Sequence, residues 1–149
     1  MPNDSFWQRP PRVRAYRTGA LTVATGTYTS VPWQGQQTDT EGMYSAGSAN
    51  LTCKVAGWYD IKAQAGWIAN ATGYRFIAIL YNGATAIGTH REVVPGANAF
   101  AHQVVSEAYL NVGDTIALQV FQSSGGNLDT GTGGAWDTWI HLRFTGVAA

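Results

Sequence analysis

The chain has 149 residues, a formal net charge of zero and only 12% charged residues, about half the share found in an ordinary soluble protein. Zero net charge excludes the long-range field that draws proteins to DNA, RNA or anionic lipid. No apolar run approaches the ~18 residues of a membrane helix, and one cysteine, Cys53, permits no intrachain disulfide and no zinc spacing. The length suits one domain with a core large enough to need neither metal nor disulfide. Aromatic residues reach 12%, with six Trp and seven Tyr. So many rings beside so few charges leave apolar surface that a small domain does not cover, which predicts contact with further copies. A rigid aromatic-rich monomer is the alternative.

Residues 1–12 are polar, carry Pro2, Pro10 and Pro11, and show no period. They read as an extended arm preceding a domain over residues 13–149. Phe6 and Trp7 are costly in a free arm unless they dock on the domain or on a partner. Arg9, Arg12, Arg14 and Arg17 fall within nine positions; the cluster is either a solvated arm or an anchor for an acidic neighbour. The opening residues lack a signal-peptide apolar region, which predicts synthesis in a cytoplasm.

From there the chain alternates. Val13 to Val23 reads as a first strand. Thr27 to Trp33 is a short β segment ended by Pro32 and Gly35. Gln34 to Gly47 is a polar loop with a short strand around Met43 and Tyr44. Leu51 to Trp67 is a long strand with a kink at Gly57, because a lone glycine in a strand marks a bulge. Within it Tyr59, Ile61, Ala63, Ala65 and Trp67 share one parity, and Asp60, Lys62 and Gln64 the other. A period of two is the mark of a strand with one buried face. In Tyr74 to Tyr81 the run Phe76-Ile77-Ala78-Ile79-Leu80 leaves no polar face, as in a strand covered on both sides. Asn82-Gly83 follows, the strongest short-range hairpin signal, and Ala86 to Glu92 resumes β character. Phe100 to Leu110 and Thr115 to Gln122 are strands around the turn Asn111-Val112-Gly113-Asp114. Ser123 to Gly134 is a Gly-, Ser- and Thr-rich loop, read as exposed and apical. Trp136 to Phe144 closes the domain, with Ile140, Leu142 and Phe144 inward and Trp139, His141 and Arg143 outward. No segment sustains a helical period with a cap. Many short strands with turn signals between them mean an all-β sandwich or barrel.

Three pieces, in order, carry a resemblance: Leu51-Thr52-Cys53-Lys54-Val55-Ala56-Gly57-Trp58-Tyr59, the Tyr81-Asn82-Gly83 hairpin, and Leu110-Asn111-Val112-Gly113-Asp114-Thr115-Ile116-Ala117-Leu118. Together with a final aromatic strand ending at Phe144, this order resembles the globular head of complement C1q and its tumour-necrosis-factor-like relatives, over about residues 13–146. The resemblance implies a two-sheet jelly roll of about ten antiparallel strands. It also implies first and last strands side by side in the inner sheet near a threefold axis, and a homotrimeric recognition or assembly module that is not an enzyme. The chain shows neither a signal peptide nor a collagen-like repeat. Its low-charge, Gly-, Thr- and Ala-rich style resembles domains of this type in bacteriophage virion proteins, which cap a tail fibre, sit at a tail tip or decorate a capsid. The expected setting is therefore the virion surface.

His90, His102 and His141 lack metal spacing, no serine sits in a nucleophile elbow, and Asp129 and Asp137 fit no dedicated calcium loop. No catalytic residue, metal or cofactor is expected. For the trimer interface the candidates are Tyr16, Phe121, Trp139, His141 and Arg143, since aromatic and Arg side chains concentrate at such contacts. Phe6, Trp7, Arg9 and Arg12 would anchor the arm to other virion proteins. The rival reading is a lectin-like domain that binds a host surface glycan or receptor, with Trp33 and Trp136 stacking on sugar rings.

Overall fold

A computed structural model of the chain describes residues 9–94 and 96–148. The arm residues Phe6 and Trp7 lie outside that range. The strands are β1 (Arg12–Tyr16), β2 (Thr22–Val23), β3 (Thr29–Ser30), β4 (Gly35–Asp39), β5 (Leu51–Thr52), β6 (Gly57–Trp67) and β7 (Tyr74–Tyr81). They continue with β8 (Thr85–Val93), β9 (Phe100–Leu110), β10 (Thr115–Gln122), β11 (Leu128–Asp129) and β12 (Trp139–Gly146), and a 3-10 turn spans Gly134–Trp136.

Period-two patterning becomes burial most plainly on β6, where Tyr59, Ile61, Ala63, Ala65 and Trp67 are all fully buried. β6 pairs antiparallel with β12 on one side and β9 on the other. The order β4-β1-β12-β6-β9 forms the first sheet. The order β3-β10-β7-β8, with β5 also on β10, forms the second. These ten strands make two packed layers, and β2 and β11 form a separate small ladder. First and last strands are neighbours: β1 pairs with β12 from Arg12↔Arg143 to Tyr16↔Trp139.

Between the layers lie Val13, Ala15, Ile140 and Leu142 from the first sheet and Ile77, Ile79, Ile116, Leu118 and Val120 from the second. Each such side chain contributes roughly 1.5–3 kcal/mol on leaving water. The apolar run on β7 is covered on both sides. Ile77 and Ile79 enter the main core, while Ala78 and Leu80 form a second cluster with Ala117.

The three segments that carry the resemblance meet at one end of the sandwich. Asn82 (φ 49°) and Gly83 (φ 70°) turn β7 into β8 with both residues left-handed, as a tight hairpin requires. Asp114 ties this turn to its neighbour. It accepts hydrogen bonds from the Asn82 amide (2.9 Å), the Tyr81 hydroxyl (2.8 Å) and the Asn111 backbone N–H (2.8 Å). Cys53 closes the third side, its N–H donating to the Asp114 carbonyl (2.8 Å) and its carbonyl accepting from Gly113 (2.9 Å). Gly57, at the start of β6, has no room for a side chain: a Cβ there would run into the Phe144 ring and lie 2.5 Å from the Gly146 carbonyl.

Opposite edges of the two sheets meet where β8 passes β9. Two side chains bridge them there. The His90 Nδ1–H donates to the Gln103 carbonyl (2.7 Å), and the Ser106 hydroxyl donates to the Ile87 carbonyl (2.7 Å).

Several expectations about elements change. The first strand stops at Tyr16 rather than reaching Val23, because the Arg17 guanidinium turns inward and donates to the carbonyls of Gly19, Ala20 and Pro32. Gly35–Asp39 is a strand, although none of its residues is apolar; it is an edge strand held by backbone pairing to β1. Met43 and Tyr44 are not a strand, and their N–H groups both donate to the Asp39 carboxylate at 2.9 Å. The glycine-rich loop is only partly exposed. Leu128 and Thr130 within it are buried, and Thr130 bridges to Trp67.

Candidate interaction surface

Side chains on β1, β12, β6 and β9 that point away from the core form three cross-strand rows. The first reads Tyr16, Trp139, Gln64, Gln103; the second Arg14, His141, Lys62, Val105; the third Arg12, Arg143, Asp60, Glu107. Tyr16, Trp139, His141 and Arg143 are thus brought onto one face, with Tyr16, Trp139 and His141 half-buried and Arg143 exposed. The Arg14 guanidinium lies over the Trp139 ring, 4.2 Å from its centroid, a favourable cation–π contact. Toward β9 the face turns apolar. Trp58 packs edge-on against Tyr109 (5.8 Å), and Val105 is 64% exposed.

Two clefts open beside β1. One of about 360 Å³ is lined by Arg12, Arg14, Gln37, Thr38 and His141. The other, about 340 Å³, is lined by Arg14, Tyr16, Gln37, Gly134 and Asp137. Burial and the positive charges of Arg14, Lys62, Arg143 and Arg12 hold the His141 pKa below its usual value, so this imidazole stays neutral among cations. Gln64 joins the face to the 3-10 turn, its amide donating to the carbonyls of Ala135 (3.0 Å) and Asp137 (2.8 Å) and accepting from Gln103 (2.9 Å).

Phe121 does not belong to this face. It lies on β10, in the other sheet, 9% exposed, stacked on Tyr74 (5.4 Å) and against Tyr28 (4.7 Å). Parity alone says that a residue points away from the core, not from which sheet. Phe121 is instead part of an aromatic terrace on the second sheet. Tyr28, 58% exposed, also meets Phe76 edge-on, and Arg91 lies 3.9 Å over Tyr74. The sequence reading missed this terrace, because the signal is the register Phe121↔Phe76↔Arg91 across three strands.

Trp33 is not a ligand-contact residue. It is fully buried and its indole N–H donates to the Ala49 carbonyl (3.1 Å), so no ring face is left for a sugar. Trp136 is 40% exposed on the 3-10 turn. Arg9 is exposed and lines a third cleft with Pro10, Arg12 and Thr40. Arg12 is not in a free arm but opens β1, and Pro11 is already laced to the sheet by the Phe144 N–H (2.8 Å).

The histidines also regroup. His90 and His102 face each other across the sheet edges, ring centroids 5.1 Å apart, while His141 sits on the outward face. His102 is 4% exposed and its Nε2 accepts the Trp67 indole N–H (3.1 Å). An indole is a donor only, so the ring is neutral and carries its proton on Nδ1, which has no hydrogen-bond partner among the described residues. Burial, then His90 and Arg75, push its pKa down to about 3. Arg75 is buried nearby and donates to the carbonyls of Asn70, Thr72 and Tyr74. Asp129 accepts from the Thr22 hydroxyl, and the Asp137 carboxylate from the Gly133 N–H. Among the described residues no group of three or more His, Cys, Asp or Glu is placed to hold a metal ion.

No family model and no curated protein matches the sequence. Solved structures do match. Murine APRIL at pH 5.0 aligns with a TM-score of 0.69 at 12% identity, covering 90% of this chain and 98% of that one. The globular domain of zebrafish complement 1qA aligns at 0.65 and 13%, covering 93% and 99%. Eiger TNF from S. frugiperda aligns at 0.59 and 12%, covering 93% and 96%. The fold is therefore a C1q- and tumour-necrosis-factor-like jelly roll.

Proposed function

We propose that this chain is a non-enzymatic bacteriophage virion protein, made in the host cytoplasm, whose jelly-roll domains assemble as a homotrimeric knob on the particle surface. The knob would decorate the capsid or serve as an adhesion module at the tail. The observation that carries the trimer is the first sheet's outward face, where Tyr16, Trp139, Trp58, Tyr109 and Val105 stand with Arg14, Arg143 and His141. Aromatic and Arg side chains of this kind are enriched at protein interfaces. The virion setting is supported by the low-charge, Gly-rich composition alone. In this reading Phe6, Trp7 and Arg9 tether the knob to other virion proteins. Three linked copies multiply weak contacts to a host surface, since linkage raises effective concentration.

Sedimentation velocity at low micromolar concentration tests the trimer. The wild type is expected at three times the chain mass, and Trp139→Ala at a lower average mass. A wild type that sediments as one chain at every concentration removes the proposal.

A second reading, a lectin-like module for host surface glycans, is favoured by the terrace of Tyr28, Tyr74, Phe76 and Phe121, since sugar rings stack on exposed aromatic faces. A glycan array with Tyr28→Ala and Trp136→Ala tests it. Binding lost in Tyr28→Ala supports the terrace, and no binding by the wild type refutes it.

A further inference from the structure

The aromatic terrace is one of two parallel rows on the second sheet's outward face. The ring row crosses the strands as Tyr28 beside β3, Phe121 on β10, Phe76 on β7 and Arg91 on β8. Two residues along each strand, or ~7 Å away, the next row reads Ser30, Gln119, Ala78, Thr89. Ser30 and Thr89 are exposed and Gln119 half-buried, and among the described residues none of these three side chains makes a hydrogen bond. Rings beside open hydroxyl and amide groups are what a saccharide needs. Its C–H face lies on the negative face of a ring, and its hydroxyls exchange hydrogen bonds with uncharged donors and acceptors. A sheet face is shallow, so it suits an extended chain laid across the strands rather than a small ligand that needs an enclosing cleft.

Charge selects among saccharides. Arg91 is the one charged side chain of the two rows. Its guanidinium is exposed, lies 3.9 Å over the Tyr74 ring, and pairs with no carboxylate among the described residues. Glu92, next in the chain, has the opposite parity and meets His90 at 3.3 Å. Stacking on a ring holds the guanidinium in place and leaves its rim of N–H groups for a planar, two-oxygen acceptor. The Tyr28 ring reaches to 6.0 Å from Phe76, and Arg91 stands one strand spacing, ~5 Å, beyond Phe76. We propose that this face binds a carboxylated saccharide chain, with one sugar stacked on Tyr28, its hydroxyls toward Ser30 and Gln119, and a carboxylate held at two points by Arg91. This rests on the glycan reading of the terrace and deepens it by naming the charge of the ligand.

A glycan array that carries uronate and sialate chains beside their carboxyl-reduced counterparts tests this, with a thermal melt to show that each variant folds. The wild type is expected to prefer the carboxylated chains at least ~tenfold, the worth of one charge-assisted contact, and to lose that preference as salt rises. Arg91→Gln is expected to erase the preference and keep the binding of neutral chains, while Tyr28→Ala loses both. Arg91→Lys keeps the charge without the fork; it is expected to fall between, and it carries the test should Arg91→Gln fail to fold. An undiminished preference in both Arg91 variants, a preference for the neutral counterparts, or polyglutamate bound as tightly as the glycans overturns the carboxylated-saccharide assignment. A wild type that binds no glycan removes the glycan reading itself.

Discussion

His102 makes the jelly roll acid-sensitive at an unusual point. Its neutral ring is required by the Trp67 indole N–H, and Arg75 and His90 face it from β7 and β8. With a pKa of about 3 in the folded chain and ~6.5 when unfolded, the unfolded state binds the proton first. Stability is therefore complete above pH ~6.5 and is lost progressively as pH falls toward ~3. Integrating the linkage from pH 7.5 to 5 gives a loss of about 2 kcal/mol, and about 4 kcal/mol by pH 3. In a chain of this size 2 kcal/mol lowers Tm by ~4–8 °C. The informative variant is His102→Gln, whose amide oxygen still accepts the Trp67 N–H but does not titrate. It is expected to be less stable than wild type at pH 7.5, by about 1–2 kcal/mol, and to lose less on going to pH 5. Urea unfolding followed by tryptophan fluorescence at the two pH values measures both. Parallel losses in wild type and variant, or a His102 ring that titrates near 6.5 by NMR, would refute the reasoning.

Asp114 gathers the apical turns, and the Asn82 amide and Asn111 N–H hold its carboxyl below the usual range; Asp114→Ala is expected to cost about 1–3 kcal/mol at neutral pH in a thermal melt. Because that depressed pKa favours the ionised folded form, the wild type sheds this contribution only as pH falls below ~4 and through the folded value, at the acid end of the His102 window. Gly66→Ala would push a methyl into the Trp136 carbonyl, so the variant is expected either to melt at least ~5 °C lower or to free Trp136 with a red-shifted emission. Cys53 is buried, its Sγ–H donates to the Val55 carbonyl (3.1 Å), and burial raises its pKa; the folded protein is expected to leave a thiol reagent unreacted until denaturant is added.

Alternation was enough to find β6 and β10, because each has a buried face whose cost of exposure fixes the parity, and an unbroken apolar run was enough to find β7, which is covered on both sides. It was blind to β4, where Gly35–Asp39 owes its strand to backbone pairing and buries no side chain deeply. The same limit explains the site residues. That Tyr16, Trp139, His141 and Arg143 share one face was legible because two adjacent strands share parity and register. Phe121 was misplaced because period two does not number the sheets, and Trp33 because a loop tryptophan reads as exposed until its N–H finds the Ala49 carbonyl. The His90–His102 contact joins residues on different sheets, and no local spacing encodes it.

The flank where β8 passes β9 has a dynamic consequence. Neighbouring strands within each sheet are laddered by amide pairs, but among the described residues the hydrogen bonds across this flank are those of His90 and Ser106, with β8 mostly exposed. Opening there breaks few hydrogen bonds, so deuterium should enter β8 amides on the free side long before those of β6 or β10. The sandwich would breathe like a book bound along one spine, and the buried imidazole of β9 is the first page that water reaches.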